Sequence, residues 1–546
     1  MKRKAVAAVL TAVMVASMFT GCGSDNGSSS AKSASAASAA SAANDTVDED
    51  GKVNGIMYQE GLPLVDEGDY TFSIFCDDSS ESGEFIMLDE FKKQTNVDVD
   101  LKIYPYETAT ERLNLDLNSG DYADVIGGWT LSDNAILTYG VNQGVFIPLE
   151  DYFEKYCPNI SAILDLPGVR EKMTAPDGHI YTIPYVCDDT TVGYSPYINT
   201  KWLENVGMSM PTTTDEFEAV LKAFKEQDAN GNGDASDEIP FSTDPNNKHI
   251  EAMAGYFGLP MNKLGIAIQN EKVVYGGVSD TYREFLSWFH KLYAEGLVDV
   301  ELYTQDSSTW EGKGNQDLYG VSIAYGSNEF TGIPAAEERG DFDSMPVLNT
   351  DKDGIWLRDT EGFSVYRTQA VITNKAEHPE IICRWFDNAF ALENGIGCNR
   401  GPVGVIVNKE DDGYHAIDTT TLSEEDQEKY SWGNLWPQSL PKYLPVDFEF
   451  VEEHPMYDEK KATEEAYEAN LTKEIIPSYW IDLDKIDTFS DTNTAIKDFF
   501  EQQQAQFVCG ELDIDNDADW QAYVDGMYSL GLEDWVATQG IEEIAK

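Results

Sequence analysis

Positive charge is the scarcest ingredient: 37 Lys and Arg stand against 98 Asp and Glu, a formal net charge of −61 over 546 residues. Such a surface repels phosphate backbones and anionic headgroups, which excludes nucleic acid as a partner and polybasic docking on a membrane. Cysteine is sparse too. The seven, at 22, 76, 157, 187, 383, 398 and 509, form no C-x-x-C and have no histidine at zinc-ligand spacing, so neither a zinc site nor a thioredoxin-type centre is supported. Whether any pair, such as Cys383 and Cys398, is bridged stays open. The six histidines are scattered and read mostly as surface residues. G-x-x-x-x-G-K-[ST], H-E-x-x-H and G-x-S-x-G are all missing, so nucleotide, zinc-protease and esterase chemistry have no recognisable apparatus. In so acidic a chain, carboxylate pairs for glycoside hydrolysis could be assembled almost anywhere, and no single pair is informative.

Long apolar runs are also missing beyond the first twenty residues. The run from Ala5 to Phe19 follows Lys2, Arg3 and Lys4 and closes on Thr20-Gly21-Cys22. It is too short to span a bilayer in the mature chain and reads as a secretory signal over residues 1–21. Met18 to Cys22 resembles a bacterial lipobox with Phe19 in place of the usual leucine, which implies cleavage before Cys22 and a diacylglycerol on its sulfur. The plainer alternative is a secreted protein with an incidental cysteine. Residues 23–43 are almost wholly Gly, Ser and Ala, and Asp45, Asp48, Glu49 and Asp50 follow. Such a composition cannot bury enough apolar area to order itself, so residues 22–67 are expected to form a loose tether. Function is then expected at the outer face of the cell membrane.

What is present is apolar mass: 42% hydrophobic and 12% aromatic residues, enough for more than one core. Tyr70 to Phe75 reads as a strand. Phe85, Leu88 and Phe91 mark one face of a helix over Glu84 to Gln94, and Val97, Val99, Leu101 and Ile103 alternate with polar residues as a second strand. A helix carrying Leu113 and Leu117 precedes a third strand, Ala123 to Ile126, which runs into Gly127-Gly128-Trp129. Right-handed crossovers make these strands parallel, so the loops at Asp77 to Ser80 and Gly127 to Thr130 meet at one sheet edge, where a ligand crevice belongs. A second α/β unit follows, with a capping box at Thr213 and Glu216, a buried strand over Tyr319 to Tyr325, and helices over Tyr282–Glu295, Pro379–Ala389, Thr494–Gln504 and Trp520–Leu530.

The sharpest local pattern is Asp228-Ala-Asn230-Gly-Asn232-Gly233-Asp234, followed by Asp237 and Glu238. Oxygen side chains at positions one, three and five, with glycine at six, suit a hard cation such as Ca2+ acting as a structural clip. The twelfth position, where an EF-hand places Glu, is Ile239, and the same residues also make metal-free turns. The acidic run Asp513 to Asp519 lacks the glycine and reads as a solvated turn. Aromatics beside Gly, Pro or Ser at expected strand ends are the other telling feature, among them Trp129, Tyr185, Tyr194, Tyr325 and Trp432. Flat rings beside carboxylates suit a pyranose, whose C–H faces stack while its hydroxyls need hydrogen-bond partners. Peptides would fit as well, and each ring alone could equally be a core residue.

Several segments together resemble one family. They are the lipobox and tether, Ala123 to Ile126 with Trp129, Gly144 to Leu149, Gly178 to Tyr185, Val192 to Tyr194, Tyr197 to Asn199, Pro211 to Phe217, the acidic loop ending Asp237-Glu238-Ile239-Pro240, Phe363 to His378, Arg400-Gly401 and Gly510 to Val524. In this order they resemble bacterial extracellular solute-binding proteins of ABC importers, in the large oligosaccharide-associated lipoprotein branch. The resemblance implies a two-lobed α/β fold of the periplasmic-binding-protein type II, with a hinge between the lobes. With crossings near 188–194, 362 and 410, lobe one holds 68–190 and 362–410, and lobe two holds 191–361 and 411–546. It also implies sugar contacts from Asp77, Asp78, Trp129, Tyr185 and Tyr325, with Tyr194, Arg400 and Trp432 beside them, and calcium held by Asp228, Asn230, Asn232, Asp234, Asp237 and Glu238 in a loop with one extra residue. The expected protein is a monomer and no enzyme. It hands an oligosaccharide to ABC permease subunits and touches the membrane only through its lipid. A surface glycoside hydrolase and a peptide receptor on the same fold are the alternatives.

Overall fold

The computed structural model describes residues 45–546 apart from 79–82, 189–190, 245–248, 333–340, 361–362, 418, 446–447, 449, 452–454, 542 and 546. The expectations for the leader, for Cys22 and for the tether up to residue 44 lie outside the described residues. From Tyr70 the elements follow the expected order: β1 (Tyr70–Asp77), α1 (Ile86–Thr95), β2 (Val97–Tyr104), α2 (Tyr106–Ser119) and β3 (Val125–Gly127). Next come β4 (Tyr185–Asp188), β5 (Ser195–Asn199), α3 (Thr214–Glu226), β6 (Ile239–Thr243), α4 (Asp280–Ala294), β7 (Tyr319–Ala324) and β8 (Phe342–Ser344). The chain continues through β9 (Phe363–Tyr366), β10 (Ala370–Ile372), α5 (Pro379–Ala389), α6 (Leu392–Arg400), α7 (Pro455–Tyr467), α8 (Ile486–Cys509) and α9 (Asp517–Ser529).

Helical returns force parallel neighbours, so β1 lies between β2 and β3, all parallel, and β10 adds an antiparallel edge to β3. A second four-stranded sheet has the order β8-β5-β7-β6, with β6 and β7 parallel. Between the sheets in sequence stand β4 and β9, which pair antiparallel with Tyr185 opposite Tyr366. The chain leaves the first sheet along β4 and returns along β9. The start of α3 shows how the local sequence acts: the Thr213 hydroxyl accepts the Glu216 N–H at 3.2 Å, while the Glu216 carboxylate reaches back to Thr212, one residue earlier than the capping box predicts.

Each sheet carries its own apolar core. The first gathers Phe72, Phe91, Trp385, Trp436 and Leu440; the second gathers Trp202, Phe217, Phe241, Phe289 and Trp535. Two expectations are corrected here. Residues 45–67 are not tether, because Val53, Met57, Leu64 and Val65 are buried in the first core and Asp45 accepts the Tyr156 hydroxyl at 2.8 Å. The crossing near 410 is also wrong. Lys409 pairs with Glu393 of α6, and Trp436 stacks with Trp385 at 5.7 Å inside the first core, so the chain stays with the first sheet through Leu440. Trp436 and Leu440 lie outside any helix or strand, so no period in the sequence marked the surface they cover. Beyond it, Tyr467 of α7 is buried in the second core. α8 then spans both: Ile486 packs with a first-lobe cluster beside Phe75 and Ile126, and Ile496, Phe500 and Phe507 pack in the second core.

Candidate functional site

The edge predicted from topology is where the aromatic and acidic residues meet. Asp77, the last residue of β1, is fully buried, and its carboxylate accepts the N–H of Trp129 at 2.9 Å and of Thr130 at 2.6 Å. Burial raises its pKa, and these hydrogen bonds pull the other way. The contact requires Gly128: its φ is +134°, and a Cβ there would lie 2.3 Å from the Asp77 carboxylate. Asp77 therefore holds the loop that presents Trp129, whose ring is 46% exposed. Around that ring stand Tyr366, edge-on at 5.4 Å, and Tyr185 at 6.4 Å. Tyr185 and Tyr366 are themselves 5.6 Å apart across the β4–β9 pair.

A second part of the first-lobe wall comes from 432–442. Buried Asp78 accepts the Gln438 N–H at 2.7 Å, and the Gln438 amide donates to the carbonyls of Trp432 and Trp436, both at 2.9 Å. Trp432 is 49% exposed, with the Lys442 ammonium 5.2 Å from its ring. Arg400 ends α6; it donates to its neighbour's carbonyl at 3.1 Å, faces Phe450 at 5.9 Å, and is pushed down to about 10 by burial. The buried Gln369 side chain, just before β10, has both amide atoms without a hydrogen-bond partner.

On the second lobe, β5 begins where β7 ends, with Ser195 opposite Ala324, so Tyr194 and Tyr325 share one edge. Tyr194 stacks on His249 at 3.9 Å and meets Tyr325 edge-on at 6.0 Å. Lys460 of α7 lies 3.5 Å from the Tyr325 ring and donates to the Gly193 carbonyl at 3.2 Å. Glu329 accepts the Tyr325 N–H at 2.9 Å, and burial pushes it up to about 7. The expected residues thus fall into three groups: Trp129 with Tyr185, Tyr194 with Tyr325, and Asp78 with Trp432 through Gln438. Arg400 instead faces Phe450. Tyr366, His249, Glu329 and Lys460 were not singled out from sequence. Tyr366 had a usable signal, its place in a strand that returns to the sheet edge. His249 is an exception among histidines read mostly as surface residues, since burial pushes it down to about 3 and keeps the ring neutral.

The acidic loop closes on itself. Gly233 N–H donates to Asp228 at 3.0 Å, the Asn230 and Asn232 amides donate to Asp237 at 3.3 and 2.7 Å, and Ala229 N–H donates to Glu238 at 2.9 Å. Asp234 accepts from Ser236. Two oxygens, Oδ1 of Asp228 and Oε2 of Glu238, are buried with no hydrogen-bond partner. Orphaned carboxylate oxygens are costly unless a cation takes them, so the residues fit a hard ion. Among the described residues, the three acidic or histidine ligand atoms that crowd within 4.8 Å of one another belong to Glu410, Asp412 and His415 on an exposed hairpin, not to this loop.

The sequence model described as "Bacterial extracellular solute-binding protein" matches residues 78–395, more than half of the chain. The chain belongs to this family. The solute-binding protein is 31% identical over 411 residues to the fructooligosaccharide ABC transporter substrate-binding protein FusA of Streptococcus pneumoniae, covering 73% of this chain and 70% of FusA. Its fold matches FusA in complex with kestose at a TM-score of 0.75 and 26% identity, over 86% of this chain and 98% of that one. It likewise matches a FusA EF-hand mutant in complex with fructo-nystose, at 0.74 and 27%, with the same coverage. The two sheets, each with its own core, are the lobes of the two-domain α/β fold these relatives share. Among the described residues no helix of the solute-binding protein is long and apolar enough to cross a membrane.

Proposed function

We propose that this solute-binding protein captures an oligosaccharide between its lobes and delivers it, unaltered, to the permease of an ABC importer. The observation that carries the reading is a pair of ring clusters: Trp129 packs with Tyr185 and Tyr366, which lie on the crossing strands β4 and β9, and Tyr194 packs with Tyr325 at the edge of the second sheet. Rings of this kind bind the C–H faces of sugars, and the neighbouring carboxylates, amides and Lys460 supply hydroxyl partners. A micromolar receptor needs about 8 kcal/mol of net binding, which a few stacks and several buried hydrogen bonds provide without chemistry. The ligand favoured by kinship with FusA, a fructooligosaccharide substrate-binding protein, is a short fructose-based chain. Lipidation of Cys22 would hold the protein at the outer face of the cell membrane. Asp228, Asn230, Asn232, Asp234, Asp237 and Glu238 would hold calcium, which replaces the internal amide contacts and takes the two orphaned oxygens; the EF-hand named for FusA supports this. In this reading the protein is a monomer with the lobes as first expected, except that 45–67 and 411–440 join lobe one.

The test is calorimetry with kestose, nystose, uronic-acid oligosaccharides and peptides, each followed by chromatography of the sugar. One molecule bound per chain with the sugar recovered intact supports the reading. Released product would make the protein a hydrolase, and heat only from peptides would move it to the peptide class.

A further inference from the structure

Lys442 is 2% exposed, and its ammonium donates to the Gln438 side-chain oxygen at 2.5 Å. Among the described residues no carboxylate lies within ion-pairing distance of it. A buried ammonium with one neutral acceptor costs stability, and an apolar side chain of equal length would fill the space without that cost. The other feature within its reach is the Trp432 ring at 5.2 Å, the distance of a cation–π contact. Gln438 ties the arrangement together: it takes the ammonium on its oxygen, fixes the Trp432 carbonyl with its amide, and is anchored through its backbone to Asp78.

We propose that Lys442 is the positioning residue for Trp432: its ammonium, clamped by Gln438, holds one face of the indole so that the exposed face forms a platform for a sugar ring. This rests on the receptor reading above. The charged groups facing Lys442 are Arg400, which repels it, and Asp78, which attracts it; the thiols of Cys398 and Cys187 are the other titratable neighbours. Burial, with Arg400, pulls Lys442 down to about 8, so the platform loses its cation as pH rises through that value.

The experiment replaces tryptophan by 5-fluorotryptophan in the full mature chain and assigns the Trp432 fluorine signal by its absence in Trp432→Phe. That signal is expected to move with a midpoint near pH 8 and to lose the step in Lys442→Met. Kestose affinity is expected to weaken roughly five- to tenfold between pH 7 and pH 9.5, and Lys442→Met is expected to show the weaker value at both. A merely structural lysine would lower the melting temperature on substitution; here Lys442→Met leaves it unchanged or raises it. A fluorine step that persists in Lys442→Met, or kestose affinity that ignores pH while the fluorine titrates, overturns the proposal. If kestose fails to bind at any pH, the fructan reading falls, and the fluorine titration still decides for or against Lys442.

Discussion

Asp77 shows how one side chain can matter to a site by holding the loop beside it. Both its oxygens are spent on the N–H groups of Trp129 and Thr130, and Gly128 leaves it the room. Asp77→Asn keeps the shape but turns one acceptor into a donor, leaving a buried N–H unpaired at a cost of about 1–3 kcal/mol. The expected result is a lower melting temperature together with weaker sugar binding, since Trp129 loses its seat; a variant with unchanged binding would mean that Asp77 only supports the fold. Glu329 offers a pH test with a definite sign. Its native pKa of about 7 lies above the ordinary glutamate value, first because of burial, and Asp244 and Glu311 add to the shift while the Tyr325 N–H and Lys460 oppose it. Between pH 4.5 and 7 the native carboxyl keeps a proton that the unfolded chain has released, so its contribution is full below 4.5 and is lost as pH rises through 7. Relative to wild type, Glu329→Gln should therefore gain stability across that window, on the order of 2 kcal/mol, in denaturant titrations at pH 4.5, 6 and 8.

At the scale of elements, the acidic loop before β6 and the segment from 432 to 442 make opposite cases. The loop was legible because a cation's needs are local: oxygens at fixed spacing and a glycine for the turn. Chelation is expected to lower the melting temperature of protein purified with calcium, and Asp228→Asn with Glu238→Gln should abolish that response; an unchanged midpoint after verified metal removal speaks against the ion. The segment was illegible because it has no period. Trp436 and Leu440 belong with Phe91 and Trp385, far away in sequence, and only tertiary packing says so. The first sheet was readable in order and direction because alternation in β2 and the apolar face of α1 each specify their element by themselves. Trp129 followed from that topology. His249 and Lys460 did not, since nothing near a lone histidine or lysine in sequence reveals the ring it will face.

For the whole molecule, capture without chemistry requires that a guest favour the closed arrangement by touching both lobes. X-ray scattering should show a smaller radius of gyration when a bound sugar is added, and Trp129→Ala should remove most of that change; identical profiles with and without a sugar that calorimetry shows to bind would exclude closure. α8 sets a limit on the motion. At 24 residues it is about 36 Å long, with Ile486 packed in one core and Phe507 in the other, so in the proposed closure it would act as a strut that permits rocking better than wide gaping. Tyr185 and Tyr366 lie on β4 and β9 themselves. If these strands are the hinge of the proposed receptor, a guest resting there would sit on the axle, where displacement is smallest, and the jaws could stand ajar before those two rings let go. Loading and hand-over would then be separable events under the proposed function: the outer grip would slacken while the innermost sugar is still held, and release would wait for the last ring to tilt.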